Sequence, residues 1–315
     1  MSEPLYLGID IGGTKSAVSI LSESKGVMNR EAFPTQGEQG PERGVAEMVA
    51  VSKRLMAGKE IAAVGISVGA MFDPRTGLFG DAPHLPKWKG FPIVETIRRE
   101  FSLPVAADND ANACALAEWR FGAGEGADHM AFLTFGTGLG AGLILNRRVY
   151  HGASALAGEI GATRIASDGP PVRDKPGCLE GFASGAGIAG LVEMRLPQFS
   201  GVTELRLGSS AREVAEAAER GDSFALEIMN EAGDSLGRGL AILLDLLNLE
   251  VIVIGSIFVR CESLLRPPMD AALRRDAMPT AVAACRIVPA ALGESIGDYA
   301  ALAMALSVSG KKPEF

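Results

Sequence analysis

The feature that most constrains this 315-residue chain is a pattern that occurs twice. Residues 5–10 form a short apolar run, Gly12-Gly13-Thr14-Lys15 interrupts it, and residues 17–21 resume it. Residues 130–135 and 141–145 repeat the design around residues 136–140. Apolar runs of this length bounded by glycine read as buried strands joined by a tight turn. Superposing Gly13-Thr14 on Gly136-Thr137 sets Ala17, Val18, Ile20 and Leu21 over Gly140, Ala141, Leu143 and Ile144. Two such units, one early in each half, imply two related α/β halves facing a shared cleft.

The intervening sequence fills in that scheme. Residues 44–56, 91–101, 111–121, 211–219, 223–247 and 296–307 have helical patterning. Residues 257–273 also read as a helix, interrupted at Pro267-Pro268, and residues 61–68, 104–107, 250–254 and 287–288 read as strands. Alternating strands and helices indicate an α/β protein, and the length suggests two domains. The glycine-rich stretch 122–127 marks a boundary. The expected division is a small domain of residues 1–121 plus a returning C-terminal helix in 294–315, and a large domain of residues 122–293. The polar tail after Ser309 is expected to fray.

Composition excludes several classes. A net charge of −8 gives no diffuse basic surface for nucleic acid or anionic lipid, and Arg98-Arg99 and Arg274-Arg275 read as solvated helix faces. The most apolar run, 240–254, is broken by Asp245, Asn248 and Glu250, too short and too polar to cross a bilayer. The first residues lack a secretory signal, and Cys114, Cys178, Cys261 and Cys285 have no metal or redox spacing. The expectation is a cytoplasmic protein with reduced thiols and no membrane or nucleic-acid partner.

Four groups of residues carry chemistry. In Asp10-Ile11-Gly12-Gly13-Thr14-Lys15 the glycines let backbone N–H groups approach phosphate oxygens, Thr14 adds a hydroxyl, and Asp10 suits a hydrated Mg²⁺. The spacing is not that of a Walker A loop, and a plain hairpin needing glycine is the competing explanation. Gly136-Thr137-Gly138 supplies an opposing phosphate turn. Asp108-Asn109-Asp110 lies between a strand and a helix, where α/β folds place ligands. Asp110 suits a general base that accepts a hydroxyl proton, with Asn109 orienting hydroxyls beside it. One of the three is expected to cap the helix instead. Finally, Glu159 and Glu180 stand on glycine-flanked turns, where they read either as surface charge or as acceptors for vicinal hydroxyls.

Together the segments GIDIGGTKSAVSIL, NDANACALAEWRFG, FLTFGTGLGAGLIL, HGASALAGEIG, GCLEGFASG and VIVIGS resemble the ROK family of sugar kinases and repressors through nearly the whole chain. The resemblance implies an α/β, actin-like ATPase (ribonuclease H-like) fold with two domains flanking a central cleft. It implies ATP-dependent phosphorylation of a sugar hydroxyl, with ATP and Mg²⁺ and with Asp110 as base. Asp10 with Gly12, Gly13, Thr14 and Lys15, and Gly136, Thr137 and Gly138, would bind phosphates. Gly255 and Ser256 would lie near the adenosine, and Gly69, Asn109, Asp110, Glu159 and Glu180 would touch the sugar. A homodimer is the family's default.

Three departures stand out. Ala162 occupies the place of a family histidine that contacts the sugar and binds zinc. Of the companion cysteines only Cys178 is present. Counting back puts Pro171 and Arg173, or with a one-residue deletion Val172 and Asp174, at the first two positions. One thiolate cannot make a four-ligand site, so no structural zinc is expected, and stoichiometric zinc in the purified protein would refute this. In Ala82-Pro83-His84-Leu85 a histidine replaces the usual asparagine, and Val68-Gly69 replaces a Pro-Gly pair. His84 either supplies the missing donor to the sugar or caps its loop, and the sequence leaves both open. The rival reading is a non-catalytic sugar sensor. Regulatory members carry an N-terminal helix-turn-helix, and here the first strand begins at Leu5.

Overall fold

The structure is a computed structural model that describes residues 3–82, 84–172 and 174–310. The expectations placed on Pro83, on Arg173 and on residues 311–315 lie outside the described residues. In chain order the first elements are β1 (Leu5–Ile11), β2 (Lys15–Ser22), β3 (Gly26–Pro34), α1 (Pro41–Met56), β4 (Ile61–Val68), β5 (Phe72–Asp73), β6 (Leu78–Phe79), α2 (Ile93–Phe101), β7 (Val105–Asn109) and α3 (Asp110–Phe121). There follow β8 (His129–Phe135), β9 (Leu139–Leu145), β10 (Arg148–Val149), α4 (Gly185–Arg195), α5 (Ala211–Glu219), α6 (Ser223–Leu247), β11 (Val251–Ile254), α7 (Ile257–Asp276), α8 (Pro279–Ala284), β12 (Arg286–Pro289) and α9 (Ile296–Val308). The chain divides into two compact units: Met1–Glu125, Val149–Ala157 and Leu292–Phe315 form the first, Gly126–Arg148 and Gly158–Ala291 the second.

The first unit is built on a five-stranded sheet in the order β3-β2-β1-β4-β7. The glycine turn makes β1 and β2 antiparallel, whereas β4 and β7, each reached through helical connections, run parallel to β1. Side chains alternate across β1. Leu7, Ile9 and Ile11 enter the larger core with Met48 and Val51 of α1 and Ile93 and Ile97 of α2. Tyr6 faces the opposite way, toward Ala301, Leu302, Ala305 and Leu306 of α9. Helix α9 approaches β4 closely at Gly65, where a Cβ would sit 1.9 Å from the Ala301 carbonyl oxygen. The chain's return is fixed by buried Glu118 of α3, which accepts from the Ala123 N–H at 2.8 Å and the Leu292 N–H at 2.9 Å.

The second unit repeats the strand order as β10-β9-β8-β11-β12. Here β8 and β9 are antiparallel, and β11 is parallel to both β8 and β12. Helices α6 and α7 pack closely at Gly237, where a Cβ would lie 2.2 Å from the Met269 carbonyl. Pro267-Pro268 does not interrupt α7, contrary to expectation; the helix continues to Asp276, and the non-helical geometry falls at Cys261 (φ −118°, ψ 23°). Tertiary packing overrides the local preference. Leu265, Met269 and Leu273 are buried on both sides of the prolines, and Gly233 of α6 leaves the space that Pro268 occupies.

Candidate active site

In the first unit, three strand ends converge. The turn between β1 and β2 is closed by the Gly12 N–H donating to the Lys15 carbonyl at 3.1 Å. Its carbonyls are drawn away by buried Thr35, just past β3: the Thr35 N–H donates to the Thr14 carbonyl at 3.0 Å and the Thr35 hydroxyl to the Gly12 carbonyl at 2.6 Å. The same hydroxyl lies 2.8 Å from Ser16 Oγ. With the carbonyls held back, the N–H groups of Gly13 and Thr14 meet no acceptor among the described residues and are left for an anion. His84 lies across this turn: a Cβ on Gly13 would fall 2.5 Å from the His84 Cβ. The expected sugar-binding histidine is therefore packed on the first glycine turn.

The end of β4 closes on the same turn. The Gly69 N–H donates to the Ile11 carbonyl at 2.8 Å. A Cβ on Gly69 would sit 3.5 Å from the Gly12 Cα and 3.9 Å from Asp110 Oδ2. The candidate base, Gly69 and the first glycine turn are thus one cluster.

The three polar residues at the β7–α3 junction divide their work. Asn109 is the helix cap, its Oδ1 accepting from the Asn112 N–H at 2.8 Å. Asp110 is the first helical residue; Oδ1 accepts from the Ala111 N–H at 2.8 Å, and Oδ2 faces Gly69. Asp108 turns inward and is buried. Its Oδ1 accepts from the Asn109 N–H at 2.8 Å and from Asn112 Nδ2 at 3.0 Å, and its Oδ2 lies 2.6 Å from His151 Nε2. The Asp108 hydrogen bond holds the His151 pKa above the usual histidine value.

Alternation along β1 puts Asp10 on the α9 face, register-paired with Ser67 of β4. Ser67 hydrogen-bonds its carboxylate, and a Cβ on Gly297 at the start of α9 would lie 2.8 Å from Asp10 Oδ2. Burial raises the Asp10 pKa above the ordinary aspartate value, against the opposing hydrogen bond from Ser67. Burial likewise pushes the thiol of Cys114, on α3, well above its usual range, so it is no nucleophile.

In the second unit, Gly136 closes its own turn by donating to the Gly138 carbonyl at 3.0 Å. Helix α4 ties the turn from behind: the N–H groups of Gly185 and Ala186 donate to the carbonyls of Gly136 and Thr137 at 2.8 and 3.0 Å. Glu180 Oε2 accepts from the Leu139 N–H at 2.7 Å and would lie 2.7 Å from a Cβ on Gly138. Glu180, the expected sugar ligand, thus buttresses the second glycine turn. Glu159 is exposed after Gly158, whose carbonyl accepts from the Ala141 N–H at 2.9 Å. Ser256, following Gly255 at the end of β11, adopts φ 56° and ψ −113°, a strained backbone for a non-glycine residue. Its hydroxyl would be 3.8 Å from a Cβ on Gly136. Beyond it, α5 and the start of α7 line a cleft of about 570 Å³ with Ala211, Ala215, Ile257 and Cys261, rimmed by Arg212, Glu216 and Arg260.

The segment that carries zinc in the resemblance is closed by backbone instead. Ile165 and Ala166 donate to the Gly177 carbonyl at 2.8 and 3.2 Å, Leu179 donates to Thr163 at 2.9 Å, and Arg238 donates to the Ile165 carbonyl. Cys178 directs its thiol to the Ala162 carbonyl at 3.5 Å. Among the described residues no three His, Cys, Asp or Glu side chains are grouped as metal ligands. The donor set here does not fit a structural zinc.

Thr35, Ser184 and His151 escaped the sequence reading. Ser184 caps α4 on the second turn, its Oγ accepting from the Gly187 N–H at 2.9 Å and donating to the Glu180 carbonyl at 2.7 Å. Each of these residues is polar, single and without a spacing signal. Only contact with a distant turn distinguishes them.

Comparison with known proteins places these features. A family model described as the ROK family matches residues 6–308. A glucokinase of Halalkalibacterium halodurans is 32% identical over 309 residues, covering 94% of this chain and 93% of that one. The structure of a ROK family glucokinase from Streptomyces griseus in complex with glucose and AMPPNP superposes with a TM-score of 0.78 at 28% identity, over 96% of this chain and 99% of that one. A ROK family transcriptional regulator, a homologue of the E. coli MLC protein, gives 0.86 at 23% identity over 97% of this chain and 78% of that one, a likeness of fold alone. The two α/β units have the actin-like ATPase fold, and the chain belongs to the ROK family.

Proposed function

We propose that this protein is an ATP- and Mg²⁺-dependent sugar kinase whose general base is Asp110. The observation that carries the reading is the cluster in the first unit. It sets a carboxylate oxygen 3.9 Å from the Cβ position of Gly69, beside a glycine turn whose Gly13 and Thr14 N–H groups meet no acceptor among the described residues. Phosphoryl transfer to an alcohol needs these two elements together, a proton acceptor and a cradle for phosphate charge.

In the reaction the sugar hydroxyl gives its proton to Asp110 as its oxygen bonds the γ-phosphorus. The bond from that phosphorus to the bridging oxygen breaks, and ADP leaves. The N–H groups of Gly13 and Thr14, with Lys15, take up charge on the transferred group. Gly136, Thr137 and Gly138 hold the remaining phosphates, and Gly255 and Ser256 border the nucleoside, its base in the cleft between α5 and α7. Asn109 keeps its amide N–H₂ for a sugar hydroxyl while its oxygen caps α3. Glu159 and Glu180 accept from sugar hydroxyls. Asp10, a carboxylate at the end of β1 beside the glycine turn, would hold a magnesium ion through water. Such an ion would neutralise phosphate charge.

We read the acceptor class as a hexose or amino sugar, with Asn109, Glu159 and Glu180 as the expected directional partners for its hydroxyls. The sensor reading is favoured by one observation, the exposed methyl of Ala162 where the family has an imidazole. ATP consumption across a panel of hexoses, N-acetylhexosamines and cyclitols separates the two. Turnover on one member supports the kinase, and sugar binding without turnover on any member supports the sensor.

A further inference from the structure

The segment 149–157 carries the chain between the two parts of the second unit but belongs to the first. It is pinned there at two points. Arg75, in the turn between β5 and β6, donates to the Ala153 carbonyl at 2.8 Å. The second point is His151 on Asp108, at 2.6 Å. Arg75 is itself aligned by Asp73, with Nε to Oδ1 and Nη2 to Oδ2 both at 2.9 Å. A polar chain thus runs from the β5–β6 turn through the crossing segment to the β7–α3 junction.

Asp108 is the node of that chain. It is buried, and one oxygen already serves the Asn109 N–H and the Asn112 amide. The other is left to the half-buried His151. A buried carboxylate deprived of its partner must protonate or swing toward water, and either change frees groups on both sides of Asp110. The neighbouring residue is the proposed base, so small displacements here carry a kinetic cost.

We propose that His151 is a positioning residue: through Asp108 it fixes the β7–α3 turn and thereby holds Asp110 in place for proton transfer. This rests on the reading of Asp110 as base. The charged groups facing the imidazole are Asp108 from β7 and Asp73 and Arg75 from the β5–β6 turn, and Asp108 dominates. Because the hydrogen bond to Asp108 raises the His151 pKa, the charged pair is complete below the ordinary histidine pKa and is lost as pH rises through the raised one.

The test compares wild type, His151→Ala and His151→Gln with ATP, Mg²⁺ and the sugar that the panel identifies. The expected result for His151→Ala is a kcat lower by about ten- to a hundredfold with the KM for ATP within about twofold. The His151→Gln amide reaches Asp108 without titrating, so it restores most of the rate and removes the decline above the raised histidine pKa. A kcat for His151→Ala within about twofold of wild type, or a His151→Gln as slow as His151→Ala, overturns the proposal. If wild type phosphorylates no sugar, the kinase reading fails separately. Amide hydrogen exchange at Asn109, Asp110, Ala111 and Asn112 then decides: faster exchange in His151→Ala but not in His151→Gln supports the tether, and equal exchange in all three overturns it.

Discussion

The two units share a strand order and a glycine turn, yet their strand ends differ in a consistent way. Gly12 and Gly136 are the residues whose N–H closes each turn, and equating them equates Asp10 with Thr134. Asp10 pairs with Ser67 and Ser67 with Asp108. The second unit's registers, Leu133 with Ile254 and Ile254 with Pro289, continued by one residue, set Gly255 and Ala290 in the places of Ser67 and Asp108. The repeated scaffold has placed its carboxylates on one sheet, and the other offers backbone and hydroxyl groups. A base and a cation ligand need ionisable oxygens, whereas holding phosphate needs N–H donors and the absence of side chains. The turns are braced differently too, the first by the Thr35 side chain and the second by the α4 backbone and Glu180.

The comparison breaks most visibly at Asp110. Asp110→Asn keeps the shape of the cluster and removes the proton acceptor, so kcat is expected to fall by about a hundred- to ten-thousandfold. Ala291→Ser, just past β12 of the second unit, is expected to leave kcat within about twofold in the same assay. A comparable loss at both positions would dissolve the asymmetry.

Asp10→Asn should separate function from stability. Turnover at saturating Mg²⁺ is expected to fall by about a hundredfold, because the neutral amide is a poor partner for a hydrated cation. Without Mg²⁺ the variant should melt higher than wild type. Burial raises the folded-state pKa of Asp10, so wild type loses stability as pH rises from the ordinary aspartate value through that raised one, and the asparagine does not. The gap between their melting temperatures, followed from pH 4 to neutrality, should widen; a constant gap contradicts the assignment.

At Gly69 and Ser256, just past the ends of β4 and β11, the expected effects are smaller. Ser256→Gly relieves a backbone held at φ 56° and should stabilise the protein to denaturant by about 1 kcal/mol, with the KM for ATP rising as the hydroxyl is lost. Gly69→Ala does the opposite: its methyl would stand 3.2 Å from the Ile11 carbonyl and 3.9 Å from Asp110 Oδ2, slowing turnover without any gain in stability. The smallest effect is expected from chelation. Backbone bonds from Ile165, Ala166 and Leu179 close the loop where the resemblance implies zinc, so a strong chelator should leave the melting temperature unchanged.

Much of this was legible in the chain because the strands flanking the glycine turns are apolar runs with abrupt ends. Helices α5 and α6 were legible to the residue, since Ser210 with Glu213 and then Asp222 announce their starts. Other elements gave no such signal. In β3 the consecutive exposed residues Met28, Asn29 and Arg30 of an edge strand mask the alternation, and α4 carries three glycines in eleven residues with no apolar stripe. Of the site, Asp110 and both turns were readable because carboxylate and glycine clusters at strand ends have few other uses. Thr35 and His151 were not: each acts on a turn more than twenty residues away, and nothing local to either states the contact.

The central claim is that the carboxylate cluster of the first unit transfers phosphate to a sugar hydroxyl. ³¹P nuclear magnetic resonance of the wild-type protein with ATP, Mg²⁺ and each sugar of the panel, repeated with Asp110→Asn, tests it most directly. The account predicts that one sugar gives a phosphomonoester signal growing in step with ADP, absent in the variant. ADP with inorganic phosphate alone, or the same phosphomonoester at the same rate in Asp110→Asn, would contradict it.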